Sequence, residues 1–262
     1  MKDQVSLPSF ELPPVHEVAI SVQFKSLENF QTVHIGEFWS RIADALPNVD
    51  DAQPFADNEE QQELRVEVMD KPPLRRVRMA NADKSISIQL QATRFVANWV
   101  KVTKETEYPR FKSIYAEFEK YYQLFQDFLR EKGLTVPSPS HLEVTYVNEF
   151  ADLGEEPMKV LEPVLNFCKW THVDHPFLSQ PEVVNFVWQF SMPNAPGKLV
   201  LTLSPAKKID GTKVVLFVLR CVSGPIAEST TPPEWFAAAH ECIVRSFTEL
   251  TTETAHKQWI RS

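Results

Sequence analysis

The residues able to do chemistry in this chain are few, and most lack the neighbours that chemistry needs. Thr171-His172-Val173-Asp174-His175 places two imidazoles and a carboxylate close together, ligand types that suit zinc or iron if a loop folds round them. No fourth ligand has helpful spacing and Pro176 imposes a turn, so a solvated loop is expected there. His240-Glu241 opens like the zinc-protease helix signature, but the position four after His240 is Val244. That motif needs two His one turn apart so that both reach one ion, and His256 is too far downstream to restore it. A metalloprotease is excluded, and His240 is expected to be a half-buried helix residue. Cys168, Cys221 and Cys242 show no CxxC spacing, and no GxSxG elbow is present. Cys221 lies in an apolar run and Cys242 beside an apolar stripe, so each is expected to act as a small buried hydrophobe. The residues call for no catalytic group, no metal and no cofactor.

One polar constellation remains: Arg76, Arg78, Gln89, Gln91, Arg94, Asn98, Glu143 and Asn148. Strand alternation puts Arg76 with Arg78, and Gln89 with Gln91. If those faces coincide, guanidinium and amide groups converge on a sheet surface away from any helix. Such a surface suits hydrogen-bonded recognition of a peptide, a protein or a small polar ligand. It lacks the paired carboxylates or activated nucleophile that catalysis requires. The competing reading is a solvated or cross-strand-paired face, with Asn98, Trp99 and Tyr108 fixing the entry into a helix.

Composition narrows the classes. At 262 residues and 43% hydrophobic content the chain is long enough to bury a real core. Its net charge of −8 argues against a general nucleic-acid binder. With 6 Gly against 20 Pro, glycine-rich phosphate loops are nearly excluded by count. Residues 1–12 are polar and no run of 18 apolar residues occurs, so neither export nor a membrane span is expected. An odd number of widely spaced cysteines then reads as reduced thiols in a cytoplasmic protein.

The elements that must position these groups are legible from periodicity. Tyr108 to Gly133 repeats apolar residues at Phe111, Ile114, Tyr115, Phe118, Tyr121, Tyr122, Phe125, Phe128 and Leu129, one stripe of a long helix. Pro109 suits its first turn and Gly133 its stop. Before it, residues 16–24 alternate as a strand, and 37–46 read as a short helix with Phe38, Ile42, Ala45 and Leu46 inward. The acidic stretch 48–63 reads as a solvated loop, and 74–80 as a strand with a turn at Asn81-Ala82-Asp83. Residues 85–92 alternate strictly and continue extended to Val102 with a bulge or bend. After a Pro/Ser linker the order restarts: strand 141–150, short helix 157–167, then strands 183–192, 198–204 and 212–223. Asp210-Gly211 marks the last hairpin. A second long helix follows at 231–250, with Ser229, Thr230 and Thr231 as caps and Pro232-Pro233 in its first turn.

Each half, 1–133 and 134–262, therefore reads strand, short helix, strands, long helix. The expected fold class is α+β: a duplicated unit forming one compact domain, a continuous antiparallel sheet with two long helices packed on one face. That order is similar to the duplicated saddle of TATA-binding proteins, and less well to helix-grip folds with an internal cavity. Fold analogy carries no function.

Several strings read together carry a further resemblance: PPVHEV with the following QF, HIGEFW, ISIQLQATRFVANWV, YPRF, LEVTYVNEF and AAHECIVRSFTELTTETAHKQW. They span Pro13 to Trp259 and resemble a sporadically distributed bacterial family without an assigned activity. The resemblance implies a toxin-linked or phage-defence setting and no mechanism. Carried over by position, its characteristic polar residues are Glu17, Gln89, Arg94, Asn98, Tyr108, Glu143, Tyr146 and Asn148. The expected function is a non-enzymatic cytoplasmic interaction protein that binds a protein partner, with self-association through open sheet edges also expected. Two alternatives stay open. One is a small-molecule sensor or enzyme with a cavity using Arg94, Glu143 and Tyr146. The other is nucleic-acid binding through Arg75, Arg76, Arg78, Arg94 and Lys101, against which the acidic balance counts.

Overall fold

A computed structural model describes residues 6–55, 74–150, 157–170, 177, 181–226 and 231–261. The protein is α+β. Nine strands hydrogen-bond antiparallel in the order β2-β3-β4-β5-β1-β6-β9-β8-β7. Two compact units divide the chain: a continuous one, Ala19–Leu142, and a two-segment one, Met1–Val18 with Glu143–Ser262. Strands β1 (Val15–Phe24) and β6 (Pro139–Phe150) contribute residues to both units.

In the continuous unit the organising element is helix α2 (Arg110–Glu131). The predicted stripe supplies its buried residues Ile114, Phe118, Tyr121, Phe125, Phe128 and Leu129. Phe125 lies at the centre, with ring centroids 5.4 Å from Phe38, 5.5 Å from Phe95, 6.1 Å from Phe30 and 6.4 Å from Phe24. Gly133 ends the helix at φ +67. Its N–H donates to the Arg130 carbonyl and that of Leu134 to the Leu129 carbonyl, the double closure that a left-handed residue permits. Pro109 is the N-cap instead of a first-turn residue.

Helix α1 (Thr32–Ser40) starts ahead of the predicted 37–46, because Gln31 and His34 cap each other's backbone N–H groups. Ile42 and Leu46 stay buried in the turn that follows, whereas Ala45 is exposed. The predicted acidic loop is corrected at its start: β2 (Asn48–Ala52) is a strand paired with β3 (Arg76–Ala80). Asp50 takes a hydrogen bond from Arg78 at 2.9 Å and Asp51 one from Arg75 at 3.2 Å, so opposite charges facing across the pair let acidic residues sit in an edge strand. The rest of that stretch, from residue 56, lies outside the described residues. The predicted long extension through residue 102 is also corrected. Strands β4 (Ile86–Gln91) and β5 (Arg94–Val100) form a hairpin closed by Ala92-Thr93 alone. That turn uses no positive φ, so its sequence carries no Asn-Gly signal.

In the two-segment unit, β9 (Lys213–Val222) pairs with β6 and β8 (Lys198–Lys207), and β8 pairs with β7 (Phe186–Ser191). The predicted Asp-Gly turn joins β8 to β9, with Gly211 at φ +90 and the Thr212 N–H on Asp210 Oδ1 at 2.9 Å. Helix α3 (Pro157–Leu161) is shorter than expected, ending ahead of Pro163. Helix α4 (Pro232–Leu250) buries Trp235, Phe236, Ala239, Cys242, Ile243 and Phe247. Its Pro232-Pro233 lie in the first turn as read, Thr231 is an N-cap without a side-chain bond, and Ser229 and Thr230 lie outside the described residues. Helix α5 (Glu253–Gln258) was not anticipated; Thr252 caps it by accepting the Ala255 N–H at 3.1 Å. Beyond it the chain returns to its own beginning. Glu11 N–H donates to the Ile260 carbonyl and Leu12 N–H to the Trp259 carbonyl, both at 3.1 Å, and Phe10 bridges Arg261.

Candidate functional site

Register decides which polar side chains share a face. Gln91 stands opposite Arg94, Gln89 opposite Val96 and opposite Arg78, and Ser87 opposite Asn98. The alternate residues Phe95, Ala97 and Trp99 are buried, with Phe95 stacked on Phe125 of α2. So Arg76, Arg78, Gln89, Gln91, Arg94 and Asn98 all project to the face opposite α2. Gln23 of β1 joins them through a bond from Arg94 Nη2 to its Oε1 at 3.1 Å.

This face is not an open polar surface at β4 and β5. Gln23, Gln89, Gln91, Arg94 and Asn98 are each at most 8% exposed. Arg76 Nη1 donates to Gln89 Oε1 at 3.0 Å. The Gln91 amide accepts the Phe55 N–H at 2.9 Å and donates to the Phe55 carbonyl at 3.3 Å and to Thr93 Oγ1 at 3.0 Å. The Phe55 ring then carries the Arg76 guanidinium 3.8 Å from its centroid and that of Arg94 at 5.3 Å, a cation–π arrangement worth about 0.5–2 kcal/mol. Sequence reasoning missed Gln23 and Phe55. Gln23 reads as the polar half of an alternation, and Phe55 sits in a stretch without periodicity. The network is a cross-strand and segment-docking device of neutral amides and guanidiniums. The bonds described among these residues run to amide, hydroxyl and backbone groups. Arg78 stands apart, half-buried and paired with Asp50, whose carboxyl the guanidinium bond holds below its ordinary value.

The remaining predicted site residues go elsewhere. Tyr108 packs on Trp99 at 5.3 Å with the Arg110 guanidinium 5.7 Å from its ring, at the entry to α2. Glu143 and Tyr146 lie in β6 three residues apart, hence on opposite faces of the strand. Glu143 accepts from Thr145 Oγ1 at 3.2 Å and lies 3.8 Å from Arg220. Tyr146 stacks on His240 at 6.1 Å. Asn148, 2% exposed, donates to the Phe217 carbonyl at 3.1 Å. His240 is held near pKa 4 by burial, against the pull of Glu241. A cleft of about 430 Å³ is lined by Asp51, Ala52, Gln53, Pro54 and Arg75, none of the residues expected to line a cavity. His172, Asp174 and His175 lie outside the described residues. Among the described residues no cluster of His, Cys, Asp or Glu could hold a metal ion, and no helix is long and apolar enough to cross a membrane.

One feature of the two-segment unit is open to solvent. Strand β7 ends the strand order and pairs only with β8 among the described residues. Val187 is 64% exposed, Phe190 46% and Trp188 38%. Its sequence, FVWQFS, carries no charge. The aromatics are nevertheless held: Trp188 lies 4.6 Å from both Phe167 and Phe186, and Phe167 meets Phe186 edge-on at 5.2 Å. Sequence periodicity found the strand, with Phe186, Trp188 and Phe190 on one side, and says nothing of what covers that side. Scans of this sequence against models of protein families and against curated proteins find no match.

Proposed function

We propose that this chain is a non-enzymatic interaction protein that takes an extended segment of a protein partner onto the β7 edge by strand addition. The observation that supports it is the exposed, uncharged Phe186–Ser191 strand at the end of the strand order. Edge strands normally carry Lys, Pro, bulges or inward charge to prevent pairing, and β7 has none of these. Strand addition draws affinity from main-chain hydrogen bonds and specificity from alternate side chains. Here Trp188 and Phe190 offer one apolar row, backed by Phe167, while Val187 lies on the other side. The partner segment this edge suits is uncharged and apolar at every second residue. The setting we infer is the cytoplasm, in a toxin-linked or phage-defence context.

The test starts from capture of the full-length chain from its native cells, in parallel with a Val187→Lys/Phe190→Lys variant. The captured protein is then purified and recombined, with amide exchange read on both. Protection of the amides of residues 186–191, lost in the double variant, supports the reading. A partner that binds both forms equally, or protection confined elsewhere, overturns it. Light scattering that gives twice the chain mass, reduced to one chain by the same variant, reassigns the edge to a second copy.

A further inference from the structure

We propose that Cys221 and Cys242 form an oxidative modification site, closing a reversible disulfide that ties strand β9 to helix α4. Three thiols are free and buried, and two of them meet. Cys221, fully buried near the end of β9, points at α4 with its Sγ 3.7 Å from the Ala239 carbonyl oxygen. Cys242 lies three residues beyond Ala239, on the same helical face. Cys242 thus faces Cys221 from the same buried side of α4, so closing the gap to the roughly 2.05 Å of a disulfide is a movement across one strand–helix contact.

The two sulfurs differ in a way that assigns their roles. Cys242 is 8% exposed and Cys221 is closed to solvent. The hydrogen bond from Cys221, with help from Ser246, brings the Cys242 thiol down to about 7 against burial and the Glu241 charge. The same contact and burial push the Cys221 thiol up. Cys242 is therefore the attacking thiolate, and Cys221 the resolving thiol. With a hydroperoxide as oxidant, the Cys242 thiolate attacks the terminal peroxide oxygen. The O–O bond breaks, the alkoxide leaves and takes up the proton that Cys242 has released, and a sulfenic acid remains. Cys221 sulfur then attacks the Cys242 sulfur, the S–O bond breaks, and the departing hydroxide takes the Cys221 proton as water. Two thiols are oxidised and one hydroperoxide is reduced to alcohol and water. Cys168 is a built-in control. Its Sγ lies 3.9 Å from Met158 Sδ with no thiol beside it, and burial pushes its pKa up.

The test exposes the full chain to hydrogen peroxide, blocks free thiols and maps peptides without reduction. The expected product is a Cys221–Cys242 cross-link reversed by dithiothreitol, formed at least about tenfold faster than any change at Cys168. In Cys221→Ala the first step is slower, because the group that lowers the Cys242 thiol is gone, and the reaction stops at a Cys242 sulfenic acid that dimedone traps. Circular dichroism confirms that this variant folds, and Cys221→Ser replaces it if it does not. Oxidation of Cys242 in the wild type without the cross-link, a cross-link through Cys168, or equal rates at all three thiols overturns the proposal.

Discussion

Arg94 Nη2 donates to Gln23 Oε1 across 3.1 Å, joining β5 to β1 through a guanidinium that is 5% exposed. A buried charge persists only where hydrogen bonds replace its lost hydration. Arg94→Met takes this donor from the Gln23 carbonyl, and Gln23→Met removes one acceptor from the charge. Each single variant is expected to lose about 1–3 kcal/mol of stability. The double variant loses less than the sum, because the bond between the two is then counted once. Urea unfolding of the four proteins closes the cycle.

Phe125 touches four other rings, so truncating it removes both area and geometry. Phe125→Ala is expected to cost about 3–5 kcal/mol, whereas Phe125→Leu costs visibly less. Thermal unfolding followed by circular dichroism ranks them.

Gly197 sits in the turn between β7 and β8 at φ +135, and a Cβ there would lie 2.3 Å from the Val222 carbonyl oxygen. No side chain can yield, because the obstacle is backbone. Gly197→Ala should therefore destabilise by more than about 3 kcal/mol, combining a forbidden conformation with a steric clash. A soluble variant of wild-type stability would show that the turn has another conformation.

Acid should weaken the fold through two histidines. Burial holds the His240 imidazole near 4. Burial and the neighbouring Arg261 guanidinium also depress His256. Arg261 Nη1 donates to His256 Nδ1 at 3.1 Å, so the other nitrogen, Nε2, carries the proton toward Thr251 Oγ1 at 2.8 Å. Both groups bind protons more weakly folded than unfolded. Their contribution is complete above about pH 6.5, the unfolded value, and is lost as pH falls from there toward 4. For His240 alone, the expected loss between pH 7 and pH 5 is about 2 kcal/mol. His240→Leu should flatten that part of a stability–pH curve, and an unchanged slope would dismiss the assignment.

What the sequence disclosed, and what it hid, follows from how each element is stabilised. Helix α2 announces itself because its stripe repeats without interruption and Gly133 marks its end. Strand β2 does not: its acidic residues are held by Arg75 and Arg78 from a neighbouring segment, information absent from its own pattern. The β4–β5 turn is silent because Ala92-Thr93 needs no special backbone. For the site, alternation placed Gln89, Gln91, Arg94 and Asn98 on one side of their strands, yet nothing local disclosed that Phe55 and Gln23 bond to them. Exposure of β7 was hidden for the converse reason, since an apolar alternation reads as core whether or not anything covers it.

The hydrogen bonds of Glu11 and Leu12 to residues 259 and 260 have a consequence for the order of assembly on the ribosome. The continuous unit can close as soon as residue 142 has emerged. Residues 10–12 must wait longer, because their partners, residues 259–261, follow more than a hundred residues later. Residues 10–12 therefore stay without these bonds until residues 259–261 have been made, and the contact forms as a late closing step.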